Sequence, residues 1–275
     1  MSKLRSLCAA ASASAMVFCA INAAQAAPVS GQGTWETTLQ ARDINGDGVV
    51  DAFYDTVLNV TWLADAKAAA GSLFDNGVSD TDGRMTWASA NAWTANLNVY
   101  GLSGWRLPTM IDTGSPGCTF SYNGTDCGHN VQTISADGLT VYSEMAHLYY
   151  ITLGNKSSCD TSGDCSTGRM FSLPDLMLSN TGALRNLEVW VYWSGVAYAT
   201  NPSFEAWTFY TGYGNQFNFT QDYEMNALAV RPGDVVTAVP EPQTWAFMLL
   251  GLAAMVVVQR KRAIRRFDTS VDLAV

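Results

Sequence analysis

The run Asp43-Ile44-Asn45-Gly46-Asp47-Gly48-Val49-Val50-Asp51 lies between two β-prone stretches, residues 34–41 and residues 52–62, the second ending in Val57-Leu58-Asn59-Val60-Thr61-Trp62. Asn-Gly and Asp-Gly between such stretches mark a hairpin, because Gly and Asn accept the left-handed backbone that a tight turn requires. The same character returns near the end of the folded region, in residues 187–194, 206–211, 217–220 and 227–230. There aromatics alternate with polar residues, as in Trp190-Val191-Tyr192-Trp193 and Trp207-Thr208-Phe209-Tyr210, a pattern that suits antiparallel strands with one wet face. Between these β-rich ends the spacing of Trp87, Ala90, Trp93 and Leu97 predicts a helix opened by Thr86. A second helix is expected over residues 143–153, where Met145, Leu148, Tyr149 and Ile151 supply the apolar set. Hairpins flanking two short helices, with long loops between, indicate an α+β fold.

The opening run also has the chemistry of a cation loop. Asp43, Asn45, Asp47 and Asp51 stand at positions 1, 3, 5 and 9 around Gly48 at position 6, with the Val49 carbonyl at position 7. That is the order in which oxygen ligands wrap calcium. Position 12 is Tyr54 rather than Glu, which separates the loop from an EF-hand. A plain hairpin turn, with Asp and Asn serving only turn geometry, fits the same residues.

Both ends of the chain look like addresses. Residues 1–26 have a basic start (Lys3, Arg5), an apolar stretch and an Ala24-Gln25-Ala26 exit, the form of a secretory signal peptide. At the other end Pro240-Glu241-Pro242 precedes an apolar run over residues 244–258 and the basic cluster Arg260-Lys261-Arg262. Fifteen helical residues reach roughly 22 Å, short of a hydrocarbon core of ~30 Å, so the run makes a marginal anchor. The basic cluster should stay cytoplasmic, leaving the preceding domain outside the inner membrane. The domain limits are therefore 1–26 for the signal peptide, 27–238 for the folded domain, 239–262 for the terminal signal and 263–275 for a basic tail.

Composition narrows the function classes. Hydrophobic residues make up 48% of the chain and charged residues 14%, enough apolar material for a packed core. Residues 27–239 carry 21 acidic and 8 basic side chains, a net of −13. Nothing basic is clustered enough to attract nucleic acid, and sulfated or uronic polymers would be repelled without a cation bridge. Four cysteines remain after the signal peptide: Cys118, Cys127, Cys159 and Cys165. In an exported chain an even count reads as disulfides, with the local pairs Cys118–Cys127 and Cys159–Cys165 favoured over the other connectivities. Zinc is the rival, but no C-x-x-C pair is present and His129 and His147 are the only histidines.

The order Pro-Glu-Pro, short apolar helix, basic cluster resembles the PEP-CTERM sorting signal. That resemblance implies processing by an exosortase-type enzyme and delivery to the cell surface or to an exopolysaccharide matrix. A second resemblance covers the folded region. Asp55 through Leu58 to Trp62, Met85-Thr86-Trp87-Ala88-Ser89-Ala90, Gly104-Trp105-Arg106-Leu107-Pro108-Thr109, Tyr192-Trp193-Ser194, Ala206-Trp207 and Ala229-Val230-Arg231-Pro232 resemble the C-terminal domain of bacterial collagen-like adhesins, a domain of unknown function. It implies a C-type-lectin-like α+β fold and attachment to glycans, to which the cysteine count adds disulfide-stapled loops.

Candidate ligand residues follow from the aromatic content. Aromatic faces stack on sugar rings, while amides and carboxylates fix the hydroxyls. Trp62, Trp87, Trp93 and Trp105 lie in the best-patterned elements and are expected in the core. Trp193, Tyr210, Tyr213, Asn215 and Gln216, near the Gly212-Tyr213-Gly214 turn, are the expected binding set. Arg106 is expected to pair with a carboxylate rather than bind ligand. Glu144 and His147 share a helix face and form at most half a metal site. His-Glu-x-x-His, Gly-x-Ser-x-Gly and Walker motifs are absent. The expectation is a non-enzymatic glycan- or exopolysaccharide-binding surface protein, with calcium as its cofactor. A secreted hydrolase of matrix polysaccharide or peptide, or a purely structural matrix component, are the alternatives.

Overall fold

Thr34 opens a helical turn, α1 (Trp35–Thr38), where the sequence suggested strand. The cause is local: the Thr34 carbonyl accepts from the Thr37 and Thr38 amides and from both of their hydroxyls. The strand starts after it, as β1 (Leu39–Arg42), and pairs antiparallel with β2 (Ala52–Asp55) across the Asp-rich turn. The computed structural model describes residues 27–114, 126–129, 131, 143–159, 164 and 178–235. Residues 52–62 do not form one strand. The Asp55 carboxylate accepts from the Val57 and Leu58 amides, both at 3.0 Å, and Asn59 adopts φ 52, so the chain folds back as β3 (Val60–Leu63).

A short strand, β4 (Arg84–Met85), leads into α2 (Trp87–Asn96), which Thr86 caps by accepting the Ser89 amide. After β5 (Gly128–His129), Ser143 caps α3 (Glu144–His147), which passes into a π-helical turn, Leu148–Thr152. The chain then makes β6 (Val191–Ala197), β7 (Glu205–Tyr210), β8 (Asn215–Thr220), β9 (Met225–Asn226) and β10 (Val230–Pro232). Two sheets result. One is four-stranded in the order β1-β2-β3-β10, and the other six-stranded in the order β4-β9-β6-β7-β8-β5. Pairing is antiparallel apart from a β6–β9 contact at Tyr192 and Asn226. The architecture is α+β, with few and short helices.

Alternation of side chains divides β2, β3 and β6 between two cores. Phe53, Trp62, Tyr149, Tyr192 and Phe209 meet in one; Ala52, Leu63, Met85, Trp93, Trp105 and Trp193 meet in the other. The one-wet-face expectation therefore fails for β7, whose four central residues are all buried because packed elements cover both sides. Trp62, Trp193 and Trp207 are fully enclosed, and Trp93 and Trp105 nearly so. The indole N–H of Trp193 donates to the Met85 carbonyl and that of half-buried Trp87 to the Ser194 carbonyl, so each ring also carries a cross-link.

The segment Gly104 to Thr109 ties these layers together. Arg106 exchanges both backbone hydrogen bonds with Val230 of β10, at 2.8 and 2.9 Å. The Pro108 carbonyl accepts from the Gly195 amide and the Ser194 hydroxyl of β6, and the Thr109 carbonyl accepts from the Glu144 amide. The Arg106 guanidinium grips Glu144 with two hydrogen bonds of 2.7 Å, and the same carboxylate accepts the Thr109 amide. Arg106 thus meets the expected carboxylate, which leaves Glu144 engaged and His147 without it as a metal partner.

Three groups make the fold acid-sensitive. Burial lowers the His147 pKa below its ordinary 6.5, with Asp55 opposing, and neither ring nitrogen has a hydrogen-bond partner among the described residues. Burial also lowers that of His129, opposed by a hydrogen bond to the Tyr213 carbonyl. Paired hydrogen bonds from Arg42, 2.7 Å each, hold Asp234 below the usual carboxylate range. The unfolded chain binds protons more readily at all three, so stability rises with pH. The histidine contribution is complete above about pH 6.5 and is lost as pH falls below it; that of Asp234 is lost at more acidic pH. Chemical denaturation should show a falling midpoint from pH 7.5 to 5.5, and His147→Leu should flatten that slope. Glu144→Ala should cost about 2–3 kcal/mol, because it strands a half-buried guanidinium and the Thr109 amide together. A loss below about 0.5 kcal/mol in the same assay would contradict this role for the pair.

Candidate functional site

At the edge of the six-stranded sheet, β4 pairs with β9 so that Arg84 faces Asn226 and Met85 faces Met225. Trp190 enters this edge just before β6, held by hydrogen bonds from its amide to the Glu188 carbonyl and the Thr211 hydroxyl. The Arg84 guanidinium lies 4.1 Å from the centre of the Trp190 ring, a cation–π contact that fixes both side chains. Opposite stands the turn Asp222-Tyr223-Glu224, whose Glu224 carboxylate accepts the Val78 amide at 2.9 Å. Gly77 makes this approach possible, since a Cβ there would sit 2.4 Å from Glu224 Oε2. Together these residues and Asp82 line a cleft of about 420 Å³.

Asp222 also lines an adjoining cleft of about 450 Å³, bounded by Thr86, Phe204, Thr220 and Gln221. Phe204 is 69% exposed, Tyr223 55% and Trp190 37%, so three aromatic rings reach solvent around the two clefts, that of Trp190 with Arg84 stacked over it. Tyr223 packs edge-on against Phe219 at 5.0 Å, and Phe219 against Phe217 at 6.1 Å, which orients the rings without covering them. The groove offers ring faces with carboxylates between them: apolar platforms next to strong hydrogen-bond acceptors.

The binding set expected from sequence is not gathered into a site. Trp193 is fully enclosed in the second core and is unavailable to any ligand. Gln216 is buried with its amide donating to the Asp126 carbonyl, and Asn215 is buried with its Oδ1 unpartnered. Asn215 and Gln216 are inside because β8 begins in the sheet interior opposite Tyr210 and Phe209, and Trp193 because β6 turns it into the second core. Tyr210 and Tyr213 remain at the surface, packed edge-on with centres 4.9 Å apart. Asp222, Tyr223, Glu224, Asp82 and Phe204 were missed. The alternation of acid, aromatic and acid in a turn next to β-prone Met225 was the signal available for three of them.

The Asp-rich turn is built by its own side chains. Asp43 accepts the amides of Gly46, Asp47 and Gly48, Asn45 accepts that of Asp47, Asp47 that of Val49, and Asp51 that of Ile44. Hydrogen bonds from Asn45 and the Val49 amide lower the Asp47 pKa. Among the described residues no group of three or more His, Cys, Asp or Glu side chains is drawn together to hold a metal ion. Cys127 and Cys159 are buried and each is disulfide-bonded. Cys118 and Cys165 lie outside the described residues, so the local pairings expected from sequence stay proposals.

Comparison with known protein families identifies residues 238–263 as a PEP-CTERM protein-sorting motif. No curated protein and no solved structure matches the chain. The sorting signal expected over residues 239–262 is therefore found, and the resemblance of the folded domain to adhesin domains has no relative to support it. Among the described residues no helix is long and apolar enough to cross a membrane; residues 1–26 and 239–275 lie outside them. The motif marks the chain as an exported surface protein, membrane-anchored before processing by an exosortase-type enzyme.

Proposed function

We propose that the folded domain is a non-enzymatic glycan-binding module, lectin-like in role, that associates with exopolysaccharide or a surface glycan after export. The observation that carries this reading is the groove in which Trp190, Tyr223 and Phe204 stand open around Asp82, Asp222 and Glu224. Stacking of sugar rings on aromatic faces removes their apolar C–H surface from water, and carboxylates accept the equatorial hydroxyls. Exposed rings in a chain bearing a sorting signal for the cell surface support the same conclusion. The C-type-lectin-like description belongs to this proposal and rests on the α+β arrangement and the sequence blocks around Gly104 to Thr109. The pairings Cys118–Cys127 and Cys159–Cys165 belong to it as well.

A second reading is favoured by the three carboxylates that share the groove: a hydrolase uses two such groups, one as acid and one as base or nucleophile. The two readings separate in one experiment on the secreted protein and exopolysaccharide from the producing culture. Binding without release of reducing ends, weakened about tenfold by Trp190→Ala or Tyr223→Ala, is the outcome expected here. Unchanged binding in both variants would remove the groove from the function. Release of reducing ends that stops in Glu224→Gln would establish the hydrolase instead.

Calcium is proposed as a structural ligand of the Asp43–Asp51 turn, held by Asp43, Asn45, Asp47, the Val49 carbonyl and Asp51. These are hard oxygen donors, but their oxygens now accept backbone amides, so binding would require the turn to rearrange. Millimolar calcium should raise the melting temperature of the wild type and leave Asp47→Ala unchanged. No shift in the wild type would reduce the loop to a hydrogen-bonded turn.

A further inference from the structure

Three non-glycine residues of the described chain hold a left-handed backbone: Asn59, Asn186 and Tyr100, with φ of 52, 55 and 49. Asparagine tolerates this region because its short amide bonds locally, whereas an aromatic side chain there is strained. Tyr100 and Gly101, the latter at φ 90, form the centre of a tight turn whose flanks, Val99 and Leu102, exchange two hydrogen bonds of 2.9 Å. A turn with both central residues left-handed selects Asn-Gly. Tyrosine in the first place is a local conflict, and packing does not repay it, because Tyr100 is 61% exposed.

Tyr100 instead lines a cleft of about 350 Å³ with Asp51, Asp65, Asn98 and Arg185. The polar groups are pinned by their own chain. Asp51 accepts the Ile44 amide, Asp65 accepts the Lys67 amide and the Asn186 side chain, and Asn98 accepts the Gly101 amide. Arg185 donates to the Val50 carbonyl at 2.7 Å. Within the described chain the remaining oxygens of Asp51 and Asp65 carry no hydrogen bond. An open ring face beside fixed acceptors and an amide is the chemistry that recognises a polyhydroxylated ring.

We infer that Tyr100 is the stacking platform of a second sugar-binding site, for a neutral pyranose unit of a polysaccharide. Two carboxylates against one guanidinium disfavour an anionic sugar. No residue is common to this cleft and the Trp190 groove, so one chain holds two separate contacts and gains avidity for a polymer or bridges two strands of it. The inference shares the ligand class of the groove and rests on that reading, but not on its residues.

The turn itself provides the test. Tyr100→Asn gives the turn the residue its backbone prefers and removes only the ring. Full-length secreted protein should gain about 2–4 °C in melting temperature, as relief of the left-handed strain predicts. It should also bind exopolysaccharide from the producing culture about tenfold more weakly, and Tyr100→Phe should retain binding. A higher melting temperature with unchanged binding would overturn the site. A lower melting temperature would show that the ring is kept for packing, and would overturn it equally. Loss of binding in Trp190→Ala with none in Tyr100→Asn would leave the groove standing and remove this second site. If the wild type binds no polymer, both fall.

Discussion

The bidentate pair between Arg106 and Glu144 is the contact on which the layers of this domain depend. Arg106 belongs to a segment bonded on one side to the last strand and on the other to β6, while Glu144 begins the short helix that packs against the core. Neither α3 nor the strand fragments could persist alone, since a helix of four residues is far below the length that is stable in water. Arginine rather than lysine is required because the planar fork satisfies both carboxylate oxygens at once and still reaches the Leu107 carbonyl. With the pair formed, Thr109, Ser143 and Ser194 have fixed partners, and the Trp105 and Leu107 side chains drop into place between the sheets.

Burial of aromatics explains both the core and the groove. Tryptophans at 62, 193 and 207 are enclosed because strands buried on both faces need large side chains to fill the space between layers. The open rings of the groove lie where cover ends: Trp190 ahead of β6, Phe204 ahead of β7 and Tyr223 in the turn before β9. Exposure here is a property of position in the sheet, not of residue type.

The same point separates what was legible in the sequence from what was not. The hairpin across Asp43–Asp51, the Thr86-capped helix, the Ser143 start and the β-rich end were readable because turn and cap residues act locally. The splitting of residues 52–62 depended on the Asp55 side chain turning back on its own backbone, which periodicity does not register. The Arg106 partner was legible as a class, a carboxylate, though not as Glu144, which lies 38 positions away. The lining of the Trp190 groove was the least legible. Trp193 and Trp190 sit in one short run, and it is the point where β6 begins, after Trp190, that leaves one inside and the other at the surface. The tertiary contacts that bring Asp82 and Glu224 to one edge have no local signature.

Charge links the fold to its destination. Arg42, Lys67 and Arg106 are each committed to an acid, so few cations are left to offset the net negative charge of the domain, which disfavours polyanions. One of these pairs sits where the chain leaves the fold. Beyond β10 the Gly233 amide donates to Asn59, its carbonyl accepts the Thr61 hydroxyl, and Asp234 meets Arg42. Val235 is buried, and the sorting motif begins at residue 238. The last described strand is bonded at both edges, to β3 and to the Arg106 segment, so the contacts that organise the core also fix the C-terminal end of the described fold.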